Sequence, residues 1–414
     1  MGRIRLLASW IKKGQALQMI YISRLLKIGG SIFYMLSLLL LLVRPAASGP
    51  IRIGATVSHS GTYQATSQMM QDAYWLWAQQ INAAGGLLGQ KVELIFYDDQ
   101  SDTARVRQFY EKLITKDKVD LVLSPYGSPL TLAAAEVTEK YNFLLLASAA
   151  SARSIWERGF KRVYGVYATA DRYFIGFLDL IARKRLHSVV IGYENTSFAT
   201  SAAEGARQWG NRFGLEVKLF EAFDKKTPRL PALLDKMQAA DADALILCAY
   251  PADVYRFLAL MKQRGYRSRA LGFTIAPALQ EFSEKAGSMA ENVFGPSQWE
   301  PDARVPFPGT RKFIKDFKAY ANRQPSYHAG ASFAACQILE RAIHQTRSLD
   351  QDKLAKFISS MDTVTVIGRF KVDHTGRQIG HNPILIQWQH GRKQIVYPAK
   401  LRTAAPIITC KPAE

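Results

Sequence analysis

From residue 51 onward the chain alternates short apolar runs with amphipathic stretches, and this alternation limits the fold more than any other feature. "IRIGATV" (51–57), "VELIFYDD", "DLVLSP" and "FLLLAS" read as strands. Residues 64–84, "TARVRQFYEKLITKDK" and "PLTLAAAEVTEKY" read as the helices between them. The first of these helices sets Met69, Ala73, Trp77 and Ile81 on one face. Strands apolar along nearly their whole length are buried on both sides, which predicts a parallel sheet covered by helices on each face. A second series of the same kind begins near residue 170, with strands "SVVIGYE", "VKLFEAF", "ALILCAY" and "ALGFT". The helices "RKFIKDFKAYAN", "GASFAACQILERAIHQT" and "DKLAKFISSM" and the strands "GRFKVD" and "PILIQWQ" are too few for a third domain and complete the first two.

The glycine-rich stretch "INAAGGLLGQ" (81–90) invites comparison with a phosphate cradle. In a cradle the glycines follow a strand and open a helix, so that helix N–H groups face the anion. Here Gly85 and Gly86 end a helix and Gly89 precedes a strand. The order is reversed, and the stretch is expected to be a helix stop.

Residues 1–48 differ from the rest. Arg3, Arg5, Lys12, Lys13, Arg24 and Lys27 precede "SIFYMLSLLLLLV", followed by "RPAAS", with no acid in between. This order reads as a signal peptide cleaved after Ser48 or Ala47, with an uncleaved anchor as the alternative. Removing residues 1–48 lowers the formal charge from +20 to +13. The basic residues that remain are scattered singly along helices, which argues for a solvated face and against nucleic acid as a partner. Cys248, Cys336 and Cys410 lack metal-like spacing, so neither a disulfide scaffold nor a zinc site is expected. No G-x-S-x-G elbow occurs, and His374, His381 and His390 are irregularly spaced, so no enzyme, metal site or cofactor is expected.

In open parallel sheets, ligands sit beyond the C-terminal strand ends, near helix N-termini. That rule selects His59-Ser60-Gly61, Tyr126-Gly127-Ser128 and Ala149-Ala150-Ser151 in the first half, and Phe198, Tyr250 and Thr274 in the second. Ser128 opens a helical run, where its hydroxyl serves as a cap and can also meet a carboxylate.

Several linked blocks resemble the type I periplasmic solute-binding proteins, in particular the leucine/isoleucine/valine-binding family of ABC importers. They are "IRIGATVSHSGTY", "INAAGGLLGQKVELIFYDDQSD", "DLVLSPYGSPLTLAAAEV", "FLLLASAAS" and "IGRFKVDHTGRQ" followed by "PILIQWQHG". The resemblance implies an α/β fold of two lobes, each a parallel sheet flanked by helices, with three interlobe crossings near 167–170, 293–298 and 370–376. The first lobe is placed at 49–168 plus 296–372, the second at 169–295 plus 373–400, and a tail at 401–414. It further implies a periplasmic, non-catalytic monomer that captures a small solute for a permease in the inner membrane. A ligand-sensing or regulatory module of the same fold is the alternative. The implied ligand residues are Ser60, Gly127, Ser128, Ala150, Ser151, Phe198, Tyr250 and Thr274. Amino-acid-binding members carry an acid where this chain has Thr274, so a standard α-amino acid is an awkward solute here. Glu194 is read as a strand-end surface acid, and Asp98-Asp99 as a structural strand end.

Overall fold

The computed structural model describes residues 49–227, 229–302, 304–305 and 307–409. The expected signal peptide and Cys410 lie outside these residues. Among the described residues no helix is long and apolar enough to cross a membrane.

The first lobe is built on β1 (Ile51–Val57), which pairs in parallel with β2 (Val92–Asp98) and β3 (Leu121–Val122). A second parallel pair, β4 (Leu145–Ala147) and β5 (Val163–Gly165), continues this lobe. Helices α1 (Gln64–Ala83), α2 (Thr103–Thr115) and α3 (Ser128–Lys140) connect the strands. Each starts and stops for a local reason. Asp102 caps α2 by accepting from the Arg105 N–H. After α1, Gly85 and Gly86 take φ of 104° and 83° and turn the chain into β2. A side chain at Gly86 would place its Cβ 1.9 Å from the Gln90 carbonyl oxygen, so the "GGLLG" stretch is the expected helix stop.

The second lobe is a seven-stranded sheet ordered β14-β13-β10-β9-β8-β6-β7. Its parallel strands are β6 (Ser188–Glu194), β7 (Glu216–Phe223), β8 (Ala244–Cys248), β9 (Ala270–Phe273) and β10 (Val293–Ser297). Helices α4 (Ile175–Arg183), α5 (Ser197–Arg212), α6 (Leu230–Ala239), α7 (Pro251–Gln263) and the short α8 (Phe282–Ala286) cover it. The chain then returns to the first lobe as α9 (Thr310–Ala321), α10 (Tyr327–Thr346), which packs along α1, and α11 (Gln351–Ser360). A hairpin of β11 (Thr363–Thr365) and β12 (Gly368–Phe370) precedes the last passage. The final strands, β13 (Ile384–Gln389) and β14 (Arg392–Tyr397), join the large sheet antiparallel, so this sheet is mixed where the sequence suggests parallel strands throughout.

The chain passes between the lobes three times, after β5, β10 and β12, and two buried glutamines tie the passages together. Gln298 accepts from the Ala168 N–H and donates to the Ala168 carbonyl and to Tyr173 Oη, each at 3.0 Å. Gln378 donates to the Val166 carbonyl (3.3 Å) and accepts from Lys371 and Gly380 N–H (3.1 and 2.7 Å). A side-chain amide has one donor end and one acceptor end, so it can satisfy a neighbouring segment's backbone as a strand would. The tail is held in a similar way. Gln387 exchanges two hydrogen bonds with Ile407, and Gln389 donates to the Ala405 carbonyl.

Candidate functional site

The C-terminal ends of the parallel strands of the two lobes face one another across the seam between the lobes. There they enclose a cavity lined by Tyr126, Gly127, Ser128, Ala149, Ser151, Tyr167, Tyr173, Phe198, Tyr250, Ile275, Tyr327 and His328. The space open to the centre of a water-sized sphere is about 10 Å³, the scale of a single water molecule. The lobes are therefore closed upon each other.

The first lobe presents a helix end. Gly127 takes φ 80°, ψ 154°, and α3 begins at the next residue. Ser128 Oγ accepts from the N–H groups of Ser151 (3.1 Å) and Ala152 (3.0 Å), drawing the loop after β4 onto the start of α3. With both bonds accepted, the hydroxyl keeps its proton to donate. First-turn amides and this hydroxyl together favour an anion. The Ser151 hydroxyl lies 3.1 Å from Tyr173 Oη, which donates to it.

Rings fill the rest. Tyr126, Tyr63, Tyr250, Phe198 and Tyr173 form a continuous chain across the seam, successive centroids 5.5, 4.9, 5.4 and 5.8 Å apart. Such spacings fall in the range of attractive tilted and edge-on ring pairs. The phenolic oxygens of Tyr167 and Tyr250 are buried without a hydrogen-bond partner. Burial raises both phenols well above their ordinary range, so they stay protonated. His328, at the start of α10, stacks on Tyr327 with centroids 4.0 Å apart, and Ser326 Oγ lies 3.3 Å from its Nδ1. Burial pushes its pKa down to about 3, so it is a neutral polar group at pH 7. No carboxylate, lysine or arginine lines the cavity.

Of the residues expected from sequence, the structure brings Gly127, Ser128, Ser151, Phe198 and Tyr250 together here. It does not bring Ser60, Ala150 or Thr274. Ser60 is exposed, and its carbonyl accepts from Ser101 Oγ in the turn after β2. Ala150 is fully buried behind the wall, and Ala149 lines the cavity in its place. Thr274 spends its hydroxyl on Ala249, accepting from its N–H (2.9 Å) and donating to its carbonyl (2.7 Å). The chain then makes a γ-turn, Ala276 N–H to Thr274 carbonyl at 2.6 Å, with Ile275 at φ 54°, ψ −63°. That is a costly conformation for a β-branched residue, and it delivers Ile275 to the cavity where the sequence rule places Thr274.

Glu194 is a further correction: it is fully buried, not a surface acid. Burial raises its pKa, opposed by a hydrogen bond from the Tyr250 N–H and by Lys225. Asp99 is the structural strand end expected, accepting from Thr56 Oγ1 (2.7 Å), Ser58 Oγ (2.6 Å) and Ser101 N–H (2.9 Å). Tyr167, Tyr173, Tyr327 and His328 were not foreseen. Tyr167 and Tyr173 come from the first interlobe passage, just after β5, and Tyr327 and His328 from the start of α10.

Comparison with known proteins agrees with this architecture. The periplasmic binding protein family matches residues 50–393. A Leu/Ile/Val-binding protein homolog 7 from Brucella suis biovar 1 (strain 1330) is 22% identical over 371 residues, covering 85% of this chain and 92% of the relative. The branched-chain amino acid transporter substrate-binding protein LivJ of Streptococcus pneumoniae, solved with isoleucine, superposes with a TM-score of 0.76 at 20% identity, covering 84% of this chain and all (100%) of that one. An ABC transporter solute-binding protein of R. palustris, solved with benzoate, superposes with a TM-score of 0.72 at 16% identity, covering 88% and 100%. Two lobes closing on a cavity at their strand ends, and a family match across nearly the whole described chain, lead to one conclusion: this chain belongs to the periplasmic binding protein family, as a solute-binding protein and not an enzyme.

Proposed function

We propose that the chain is the periplasmic binding component of an ABC importer, and that its solute is a small carboxylate lacking an ammonium group, aromatic acids foremost. The observation that carries this reading is the lining itself: hydroxyls, a neutral imidazole, a helix end and rings, with no carboxylate among them. An α-amino acid would bury its ammonium there without a counter-charge, at a cost of several kcal/mol or a forced loss of its proton. A carboxylate would take the end of α3, with Gly127, Ser128 and Ser151 as its partners. An aromatic body would lie against Phe198, Tyr250 and Ile275. The benzoate bound by the R. palustris protein is a solute of this class.

The lobes we assign to 49–168 plus 296–372 and to 169–295 plus 373–400 part at the passages tied by Gln298 and Gln378, admit the solute and close. Lobe-to-lobe contacts are complete only when shut, so a bound solute shifts the open–closed equilibrium and a permease can tell loaded from empty.

The test is a thermal-shift screen of protein unfolded and refolded to strip any carried solute. A ligand at about 100 times its dissociation constant adds roughly 2.7 kcal/mol. Benzoate and related acids are expected to raise the melting temperature, and phenylalanine, leucine and isoleucine to leave it unchanged. A response to amino acids alone overturns the assignment. Silence across the whole panel favours a sensor of the same fold.

A further inference from the structure

Beside the cavity, outside its lining, lies a cluster of different chemistry. Glu194 ends β6 with its carboxylate buried. Its Oε2 accepts from the Tyr250 N–H (3.1 Å); its Oε1 has no hydrogen-bond partner and faces Lys225 Nζ at 3.8 Å. Lys225 Nζ also donates to Tyr63 Oη (2.8 Å) and sits 4.6 Å from the Tyr63 ring centroid and 5.1 Å from that of Tyr250. A buried carboxylate with two tyrosine rings around a cation is the setting that selects an ammonium ligand. Here the ammonium belongs to the chain.

We infer that Lys225 is a specificity-determining residue: a tethered ammonium that fills the cage of Glu194, Tyr63 and Tyr250, so that a solute's own ammonium finds the counter-charge already taken. The inference rests on the site proposed above and deepens it. Tyr250 joins the two places, since its N–H holds Glu194 while its ring lines the cavity. A solute carboxylate then approaches a neutral pair; without Lys225 it would approach a buried carboxylate left without its counter-charge, which only a solute ammonium or a proton could neutralise. The cage also spans the seam. Tyr63 immediately precedes α1 in the first lobe, whereas Lys225 and Glu194 follow β7 and end β6 in the second.

The experiment measures, by calorimetry, the affinities of two matched pairs: 3-phenylpropanoate against phenylalanine, and 4-methylpentanoate against leucine. Wild type, Lys225→Met, Lys225→Gln and Glu194→Gln/Lys225→Met are compared. The ratio of acid to amino-acid affinity is expected to fall about tenfold or more in both single variants, a change of about 1.4 kcal/mol. It is expected to return to within about threefold of wild type in the double variant, which removes the exposed anion. An unchanged ratio in Lys225→Met and Lys225→Gln overturns the inference, as does a fall that the double variant fails to reverse. Two single variants guard against one that folds poorly. A wild type that prefers the amino acids sinks the proposed solute class instead. In that case amino-acid affinity gained in Lys225→Met and lost in the double variant still upholds the cage, and its absence overturns it.

Discussion

The two walls of the cavity are built from different materials. Beside the rings of Tyr126, Tyr167, Tyr327 and His328, the first lobe offers a helix end and hydroxyls: the start of α3, Ser128 with two amides upon it, and Ser151. The second offers bulk: Phe198, Tyr250 and Ile275. Only the first wall carries a helix end that can fix where a charge sits, whereas rings on both walls bear on the shape of what carries it. The division follows from local geometry, since α3 starts at the cavity on a glycine, whereas the β9 exit is pinned by Thr274 and turned by Ile275.

The strongest way to break this comparison is to remove the first wall's hydroxyl. Ser128→Ala leaves the buried N–H groups of Ser151 and Ala152 without their acceptor, at about 1–3 kcal/mol each. We expect solute affinity to fall by roughly ten- to a hundredfold in calorimetry, with a lower melting temperature even without solute. Full binding by this variant would mean that the charge lies elsewhere.

A pH titration comes next. The pKa of His328 is about 3 in the folded protein against an ordinary 6.5, and that of His381 about 4. A histidine whose folded pKa is lowered takes up its proton more readily when unfolded. Its contribution is therefore present above pH 6.5 and is lost as pH falls toward 3, by roughly 1.4 kcal/mol per pH unit per proton. Urea unfolding from pH 7 to pH 5 is expected to show declining stability, with a shallower decline in His328→Phe. Equal slopes would mean that His328 is not the proton acceptor.

The smallest effect belongs to the second wall. Tyr250→Phe removes a phenol that has no partner in the closed form while keeping the ring, so the melting temperature without solute should hold or rise slightly. Affinity should drop only a few-fold, on the order of one neutral hydrogen bond. A loss as large as that of Ser128→Ala would mean that the two walls share the polar work, contrary to the comparison.

How much of this was legible beforehand depended on the range of each signal. Continuous apolar runs and helical periodicity are local, so β1 and β6 fall where the sequence places them, and the strand-end rule picks Gly127, Ser128 and Ser151, which the fold sets around the cavity. The γ-turn at Ile275 leaves no pattern, so the rule landed one residue early on Thr274. β14 went unread because it alternates weakly behind a two-residue turn. His328 and Tyr327 reach the cavity from the start of α10, which lies along α1, and Glu194 is buried beside Lys225 and the Tyr250 N–H. Those are contacts between distant parts of the chain, and a one-dimensional pattern does not encode them.

The ring chain from Tyr126 to Tyr173 has a consequence for how tightly any solute can be held. Rings that zip the seam by themselves make the shut form a competitor of the solute, because binding must begin from the parted form. Apparent affinity is the intrinsic affinity multiplied by the parted fraction: were one molecule in about a hundred parted, about two orders of magnitude would vanish from the measured constant. Trimming Tyr63, which joins Tyr126 to Tyr250, would part the seam more often and at the same time take one ring from around Lys225.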